Sequence, residues 1–123
     1  MEEVKLAQAL NRLSSLCRYE NDKWWHDPLT KEVIRRNHGE LFMLMVSEIS
    51  EAMEGVRKGL MDDKLPHRRM VEVELADTLI RIFDYAGEYG LDLGGALMEK
   101  LSCNRTREDH TYEARLGKNG KRF

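Results

Sequence analysis

Apolar residues recur at helical spacing in four long segments of the chain, which predict four α-helices. In the first segment, from Glu2 to about Glu20, the aliphatic positions follow a period near 3.6 residues: Val4, Leu6, Leu10, Leu13 and Leu16. Residues 21–29 interrupt this pattern, because Pro28 disfavours a helical conformation in the residue before it. A short helical turn is predicted over residues 30–36.

The second helix is marked by a capping signal and by an unusual run of apolar residues. Asn37, with Glu40 three residues later, forms an asparagine version of the capping box, and the helix is expected to end near Gly59. Residues 41–46 are apolar on every side of this helix, which indicates burial all round. One small bundle cannot easily surround a helix, so we expect a second subunit to cover its outer face.

The third and fourth helices follow after a polar connection over residues 61–65. Pro66 is well placed to open the third helix, which should continue to about Tyr89. Asp92 can cap a fourth helix that runs to about Arg107. Antiparallel helices joined by short loops predict an all-α fold of the four-helix-bundle type.

Length and charge suggest one helical domain over residues 1–110 and a basic tail over residues 111–123. The chain has 123 residues and a net charge of −2. Residues 100–123 carry seven Lys and Arg against three acids, a net charge of +4, which leaves −6 for the rest. The tail has no apolar period and is expected to be extended or loosely held. A nucleic-acid contact through it is the least favoured interpretation, because few aromatic residues interleave its charges.

The remaining general features favour a cytoplasmic protein without a membrane partner. The N-terminus lacks the basic start and apolar core of a signal peptide, and no apolar run is long enough to span a bilayer. Cys17 and Cys103 match no metal-binding spacing, and both are expected to be reduced thiols.

Two pairs of acidic residues carry the strongest chemical signal. Glu48 and Glu51, and then Glu74 and Asp77, are each spaced i, i+3, so each pair projects from one helical face within apolar surroundings. If the two helices pack together, four carboxylates crowd into one small space. Such a cluster favours a hard cation with oxygen ligands, and Mg²⁺ is the expected ion, with Mn²⁺ as a substitute. The alternative is a set of surface charges, in which Asp77 pairs with Arg81 one turn later.

A second group of residues has the chemistry of a phosphate clamp. Lys100, Asn104 and Arg107 are spaced i, i+4, i+7 and would share one stripe of the fourth helix. A point charge, an amide donor and a planar guanidinium fork suit a phosphate. The alternative is a solvated basic helix end that the helix dipole favours.

Trp24, Trp25 and His26 form a weaker candidate site in the first connection. An indole ring there could stack on a nucleobase, whereas at least one of the two tryptophans is expected to close the end of the bundle as core. No glycine-rich phosphate loop and no Ser-His-Asp or Cys-based nucleophile is visible, so a metal-activated water is the nucleophile available to an enzyme.

Taken together, these motifs resemble the MazG-like all-α nucleoside triphosphate pyrophosphohydrolases. The resemblance lies in Glu48-x-x-Glu51, followed after twenty-two residues by Glu74-x-x-Asp77, and in Lys100-x-x-x-Asn104-x-x-Arg107. It covers roughly residues 40–110.

The resemblance implies a helical homodimer or homotetramer in which Glu48, Glu51, Glu74 and Asp77 hold Mg²⁺. The alternative role for one of these four carboxylates is that of general base, and the sequence does not identify which. The resemblance also implies cleavage of the α–β phosphoanhydride of (deoxy)nucleoside triphosphates to the monophosphate and pyrophosphate. Base choice does not follow from it. The alternative function is that of a non-catalytic helical protein whose acidic cluster serves assembly or regulation.

Overall fold

Five α-helices and no β-strand make up the structure, a computed structural model that describes all 123 residues. The all-α fold class is therefore confirmed. The helices are α1 (Glu2–Glu20), α2 (His38–Lys58), α3 (Met70–Glu88), α4 (Leu93–Arg105) and α5 (Tyr112–Leu116). The chain divides into a central unit, Asn11–Leu91, and a terminal unit made of Met1–Leu10 with Asp92–Phe123.

In the central unit, α2 and α3 pack against each other. The predicted cap of α2 is confirmed, since the Asn37 side chain accepts a hydrogen bond from the Glu40 backbone N–H at 3.1 Å. At its other end Gly59 adopts a left-handed conformation with φ of 61°. Gly55 brings the two helices close, because a Cβ atom there would lie 2.9 Å from the Cβ of Met70. The positions of α2 and α3 relative to each other fix which polar side chains meet.

The connection between α2 and α3 differs from the prediction, because α3 begins at Met70 and not at Pro66. The buried Asp62 carboxylate accepts hydrogen bonds from the backbone N–H groups of Lys64 and Leu65, at 3.0 and 2.8 Å. These bonds hold the segment that contains Pro66 as a turn, because an aspartate that bonds nearby backbone groups competes with helix formation. Helical hydrogen bonding starts only beyond that turn.

The segment before α2 also differs from the prediction. Residues 30–36 contain no helical turn; His26 and Val33 instead form an isolated antiparallel bridge. The Asp27 side chain accepts hydrogen bonds from the backbone N–H groups of Leu29 and Thr30, which closes a tight turn and lowers the pKa of Asp27. Before this turn, residues 22–25 form a single 3₁₀ turn.

The terminal unit contains α4 and α5. Asp92 caps α4 as predicted, by accepting a hydrogen bond from the Gly95 backbone N–H at 2.9 Å. The helix ends at Arg105, two residues before the predicted end. The tail is not simply extended: Thr111 caps the short helix α5, and the Arg115 guanidinium donates hydrogen bonds to the carbonyl oxygens of residues 121 and 122.

The apolar run of α2 is only partly covered by this chain. Phe42, Met43 and Val46 retain 47%, 62% and 49% of their surface. The buried apolar residues lie elsewhere, among them Trp25, Leu41 and Phe83. None of the helices combines the length and the apolarity that crossing a membrane requires.

Candidate metal centre and adjoining cleft

Three carboxylates converge where α2 packs against α3. Glu48 of α2 and Glu74 and Asp77 of α3 each present an oxygen, and these oxygens lie within 4.8 Å of one another. All three side chains are half-buried. Glu51, the fourth predicted member, is exposed and does not belong to this group. The i, i+3 spacing on α3 accounts for the pair on that helix, and helix packing supplies Glu48.

The crowding of these carboxylates changes their protonation. The pKa of Glu74 rises from 4.5 to about 7, first because the side chain is removed from water, then because it shares a hydrogen bond with Glu48 and lies near other acids. The pKa of Asp77 also rises, through burial and then through the charge of Glu48. At neutral pH a proton therefore helps to hold the group together, as expected for like charges at short range.

One cation contacts the group directly. The Arg81 Nε and Nη2 atoms each lie 3.1 Å from Glu48 Oε1. The sequence offered Asp77, one turn away on the same helix, as the partner of Arg81; the structure pairs Arg81 with α2 instead. Because one guanidinium faces three carboxylates, the fully ionised group keeps an excess of negative charge.

The donor set fits a small divalent cation. Mg²⁺ prefers carboxylate oxygens at about 2.0–2.1 Å and completes its shell with water and substrate phosphates. Three oxygens that already lie within 4.8 Å of one another can converge on such an ion through small side-chain rotations. Sulfur and imidazole ligands are absent from the group, which disfavours the softer metals.

A cleft of about 420 Å³ adjoins the acidic group within the central unit. Glu48 and Asp77 form part of its wall, together with Arg81. The wall also includes Trp24, Arg36 and Asp84. Acidic, cationic and aromatic side chains therefore share one concave surface, which offers contacts for both the charged and the aromatic parts of an organic ligand.

The three residues proposed for base binding separate in the structure. Trp24 lines the cleft and leaves 60% of its surface exposed. Trp25 is 2% exposed and belongs to the core, as expected for one of the two indoles. His26 is not part of the cleft wall, and its Nδ1 lies 2.9 Å from the carbonyl oxygen of Asp22.

Trp25 organises a polar cluster that the sequence reasoning missed. Its Nε1 donates to both oxygens of the buried Asp84, at 3.0 and 3.2 Å. The guanidinium groups of Arg18 and Arg36 lie 5.2 and 5.1 Å from its ring centroid. Burial raises the pKa of Asp84, whereas the Trp25 bond and the two arginines oppose that rise. The position of Asp84, seven residues after Asp77 and so on the same face of α3, was the available signal.

The predicted phosphate clamp lies in the terminal unit, and its three members do not share one helix. Lys100 is exposed on α4, whereas Arg107 lies past the helix end in an extended conformation. The Arg107 guanidinium donates two hydrogen bonds to Asp109, at 3.0 and 2.8 Å, and lowers the pKa of that carboxyl. Asn104 Oδ1 is buried without a hydrogen-bond partner. An amide donates only through its nitrogen, so this buried oxygen cannot itself bind a phosphate.

Comparison of the chain with protein-family models, with curated proteins and with solved structures found no match. The chemistry of the site therefore has to be inferred from its own residues and geometry.

Proposed function

We propose that this protein is a Mg²⁺-dependent nucleoside triphosphate pyrophosphohydrolase, which releases pyrophosphate and a (deoxy)nucleoside monophosphate. The observation that carries the proposal is the convergence of Glu48, Glu74 and Asp77 beside a cleft. The same motifs carry the resemblance to the MazG-like enzymes. A cluster that binds a proton more tightly than an isolated carboxylate does is well suited to exchange that proton for a cation.

In this proposal Glu48, Glu74 and Asp77 hold the ion. When bound, Mg²⁺ would neutralise the triphosphate and lower the pKa of an attacking water. Glu51 is exposed one turn beyond Glu48, so its carboxylate is free to accept a proton from that water. With Glu48 engaged as a metal ligand, the Arg81 guanidinium that now contacts it would be available to a phosphate oxygen.

Lys100, Asn104 and Arg107 are proposed as further phosphate ligands, on the resemblance and on their chemistry. Lys100 is exposed and free to reach an anion. Arg107 uses its Nε and Nη2 for Asp109, so a phosphate would share this guanidinium with that carboxylate or displace it. Removal of Asp109 should therefore strengthen phosphate binding if Arg107 has this role.

A homo-oligomer is part of the proposal. The apolar face of α2 that contains Phe42, Met43 and Val46 is exposed within one chain, and a second copy would bury it. Light scattering at micromolar concentration should give the mass of a dimer or tetramer. A monomer would remove this inference and leave the catalytic proposal standing.

The direct test is a screen for pyrophosphate release from the eight common NTPs and dNTPs with Mg²⁺ or Mn²⁺, and with EDTA as the metal-free control. Glu51→Gln should abolish release and leave the helical circular dichroism spectrum unchanged, because Glu51 is exposed. Full activity in that variant would contradict its assigned role. If no nucleotide is turned over and Mg²⁺ has no effect, the alternative of a non-catalytic assembly protein, favoured by the exposed face of α2, takes its place.

A further inference from the structure

The cleft continues along α3 beyond the acidic group. Asp77, Arg81 and Asp84 are spaced i, i+4, i+7 and so lie on one face of that helix, and all three line the cleft. Seven residues of α-helix place Asp84 about 10 Å along the axis from Asp77. This separation is comparable to the length from the α-phosphate of a nucleotide to the far edge of its base. A nucleotide with its phosphates at Asp77 can therefore bring its base to Asp84.

The wall of the same cleft includes an aromatic side chain. Trp24 lines the cleft, and its indole is 60% exposed although Trp25 beside it is buried. Lys23 Nζ lies over the Trp24 ring, 5.8 Å from its centroid, so a base would stack on the opposite face of the indole. Such stacking suits any nucleobase, because every base has a π-face. Stacking gives affinity without choosing between bases, so selection requires polar groups at the base edge.

Asp84 and Arg36 supply a hydrogen-bond acceptor and a donor that both have unused capacity. A carboxylate has about four lone-pair positions, and Asp84 uses its two oxygens only for the single N–H of Trp25. Arg36 lies over the Trp25 ring and makes no salt bridge, so its guanidinium donors are not occupied by a carboxylate. Both groups are positioned by Trp25, and both line the cleft.

We propose that Asp84 and Arg36 determine the base specificity of this site and select bases that carry an exocyclic amino group. Asp84 would accept the amino N–H, and Arg36 would donate to the neighbouring ring nitrogen or carbonyl oxygen. Guanine, adenine and cytosine can meet this pattern. In uracil and thymine a carbonyl oxygen replaces the amino group and faces the carboxylate, which is repulsive. This inference rests on the proposed function, since it takes the ligand to be a nucleotide.

The test uses pairs of nucleotides that differ at the amino group: CTP with UTP, and GTP with ITP, which lacks the 2-amino group. Binding of their non-hydrolysable α,β-imido analogues with Mg²⁺ is measured by calorimetry on the full chain. The wild-type protein should bind the amino-bearing member of each pair at least about tenfold more tightly, the equivalent of one charge-assisted hydrogen bond. Equal affinities within both pairs would overturn the proposal.

The decisive variant is Asp84→Asn. Its side-chain oxygen can still accept the Trp25 hydrogen bond, while its amide nitrogen presents a donor to the base. The preference for CTP over UTP should therefore vanish or reverse. A merely structural role of Asp84 would weaken both ligands equally and leave their ratio unchanged, which would refute specificity through Asp84. Asp63→Asn, an exposed aspartate away from the cleft, is the matched control and should keep the wild-type ratio.

A second variant separates base recognition from phosphate binding. Arg36→Gln should weaken the nucleotide analogues and leave the binding of inorganic tripolyphosphate with Mg²⁺ unchanged. Loss of tripolyphosphate binding would make Arg36 a phosphate ligand and overturn its assigned role.

Hydrolysis assays keep the two proposals apart. Pyrophosphate release at equal kcat/KM within each pair would support the proposed function and refute the base selection. Selective binding without any hydrolysis would refute the proposed function and support the base selection. Absence of nucleotide binding would refute both.

Discussion

Glu74→Gln should stabilise this protein at alkaline pH and have little effect in mild acid. The pKa of Glu74 rises from 4.5 to about 7 on folding. The folded protein therefore holds this proton more tightly than the unfolded chain does. The resulting stabilisation is complete below pH 4.5, the pKa of this group in the unfolded chain, and is lost as the pH rises through about 7, its pKa in the folded protein. Above pH 7 the ionised carboxylate is held among Glu48 and Asp77 at a cost that glutamine, which is uncharged and nearly isosteric, does not have.

The size of the effect follows from the two pKa values. At about 1.4 kcal/mol for each pH unit between them, the limiting cost of ionised Glu74 is about 3 kcal/mol. Solvent screens part of this cost because the side chain is only half-buried. We therefore expect Glu74→Gln to raise the free energy of unfolding by roughly 1–3 kcal/mol at pH 8 and by less than about 1 kcal/mol at pH 5.

Urea unfolding in EDTA, followed by circular dichroism at both pH values, measures this difference. Glu51→Gln is the matched control: it removes the same charge from an exposed position and should change stability by no more than about 0.5 kcal/mol. If Glu74→Gln gives the same gain at both pH values, or none at pH 8, the account of the acidic group is wrong. Addition of Mg²⁺ at pH 8 should stabilise the wild-type protein more than Glu74→Gln, because that variant lacks one ligand.

Three further predictions concern other contacts of the central unit. Arg81→Gln should tighten Mg²⁺ binding roughly tenfold in calorimetry without nucleotide, because it removes the cation that competes for Glu48; unchanged affinity would argue against a metal at this carboxylate. Trp25→Phe should destabilise the fold by about 1–3 kcal/mol in urea unfolding, because buried Asp84 loses its N–H donor, and adding Asp84→Asn should recover part of that loss. Gly87→Ala should lower the thermal midpoint, at a cost of about 1–3 kcal/mol, because its Cβ would lie 2.6 Å from a carbonyl oxygen of α1; a wild-type midpoint would disprove that close approach.

Much of the helical organisation could be predicted from local signals. Asn37 and Asp92 cap their helices through their own side chains, and Gly59 ends α2 with a positive φ angle. Such contacts involve residues close in sequence, so spacing reveals them. The predicted start of α3 was wrong because two local signals compete. Pro66 is compatible with the first turn of a helix, but the Asp62 carboxylate accepts hydrogen bonds from the backbone just before Pro66 and holds that segment as a turn.

The same difference between local and long-range contacts applies to the candidate site. The i, i+3 spacing of Glu74 and Asp77 was sufficient to place two carboxylates together on α3. Spacing also places Asp84 on the face of α3 that carries Asp77, but it does not reveal the partner of Asp84, because the bond between Trp25 and Asp84 joins residues that are 59 positions apart. The pairing of Arg81 with Glu48 was missed for the same reason, since a partner one turn away on the same helix was equally available in the sequence.

The sequence by itself determined the four long helices, most of their ends and the side of α2 and α3 that carries acidic residues, since all of these depend on backbone geometry and near neighbours. The tertiary structure decided which of those residues meet. The packing of α2 on α3 leaves Glu51 outside the carboxylate group and pairs Arg81 with Glu48. The packing of the 3₁₀ turn on α3 brings Trp25 to Asp84. The physical reason is that helix packing is fixed by the sum of many apolar contacts along both helices, and no single spacing in the sequence encodes that sum.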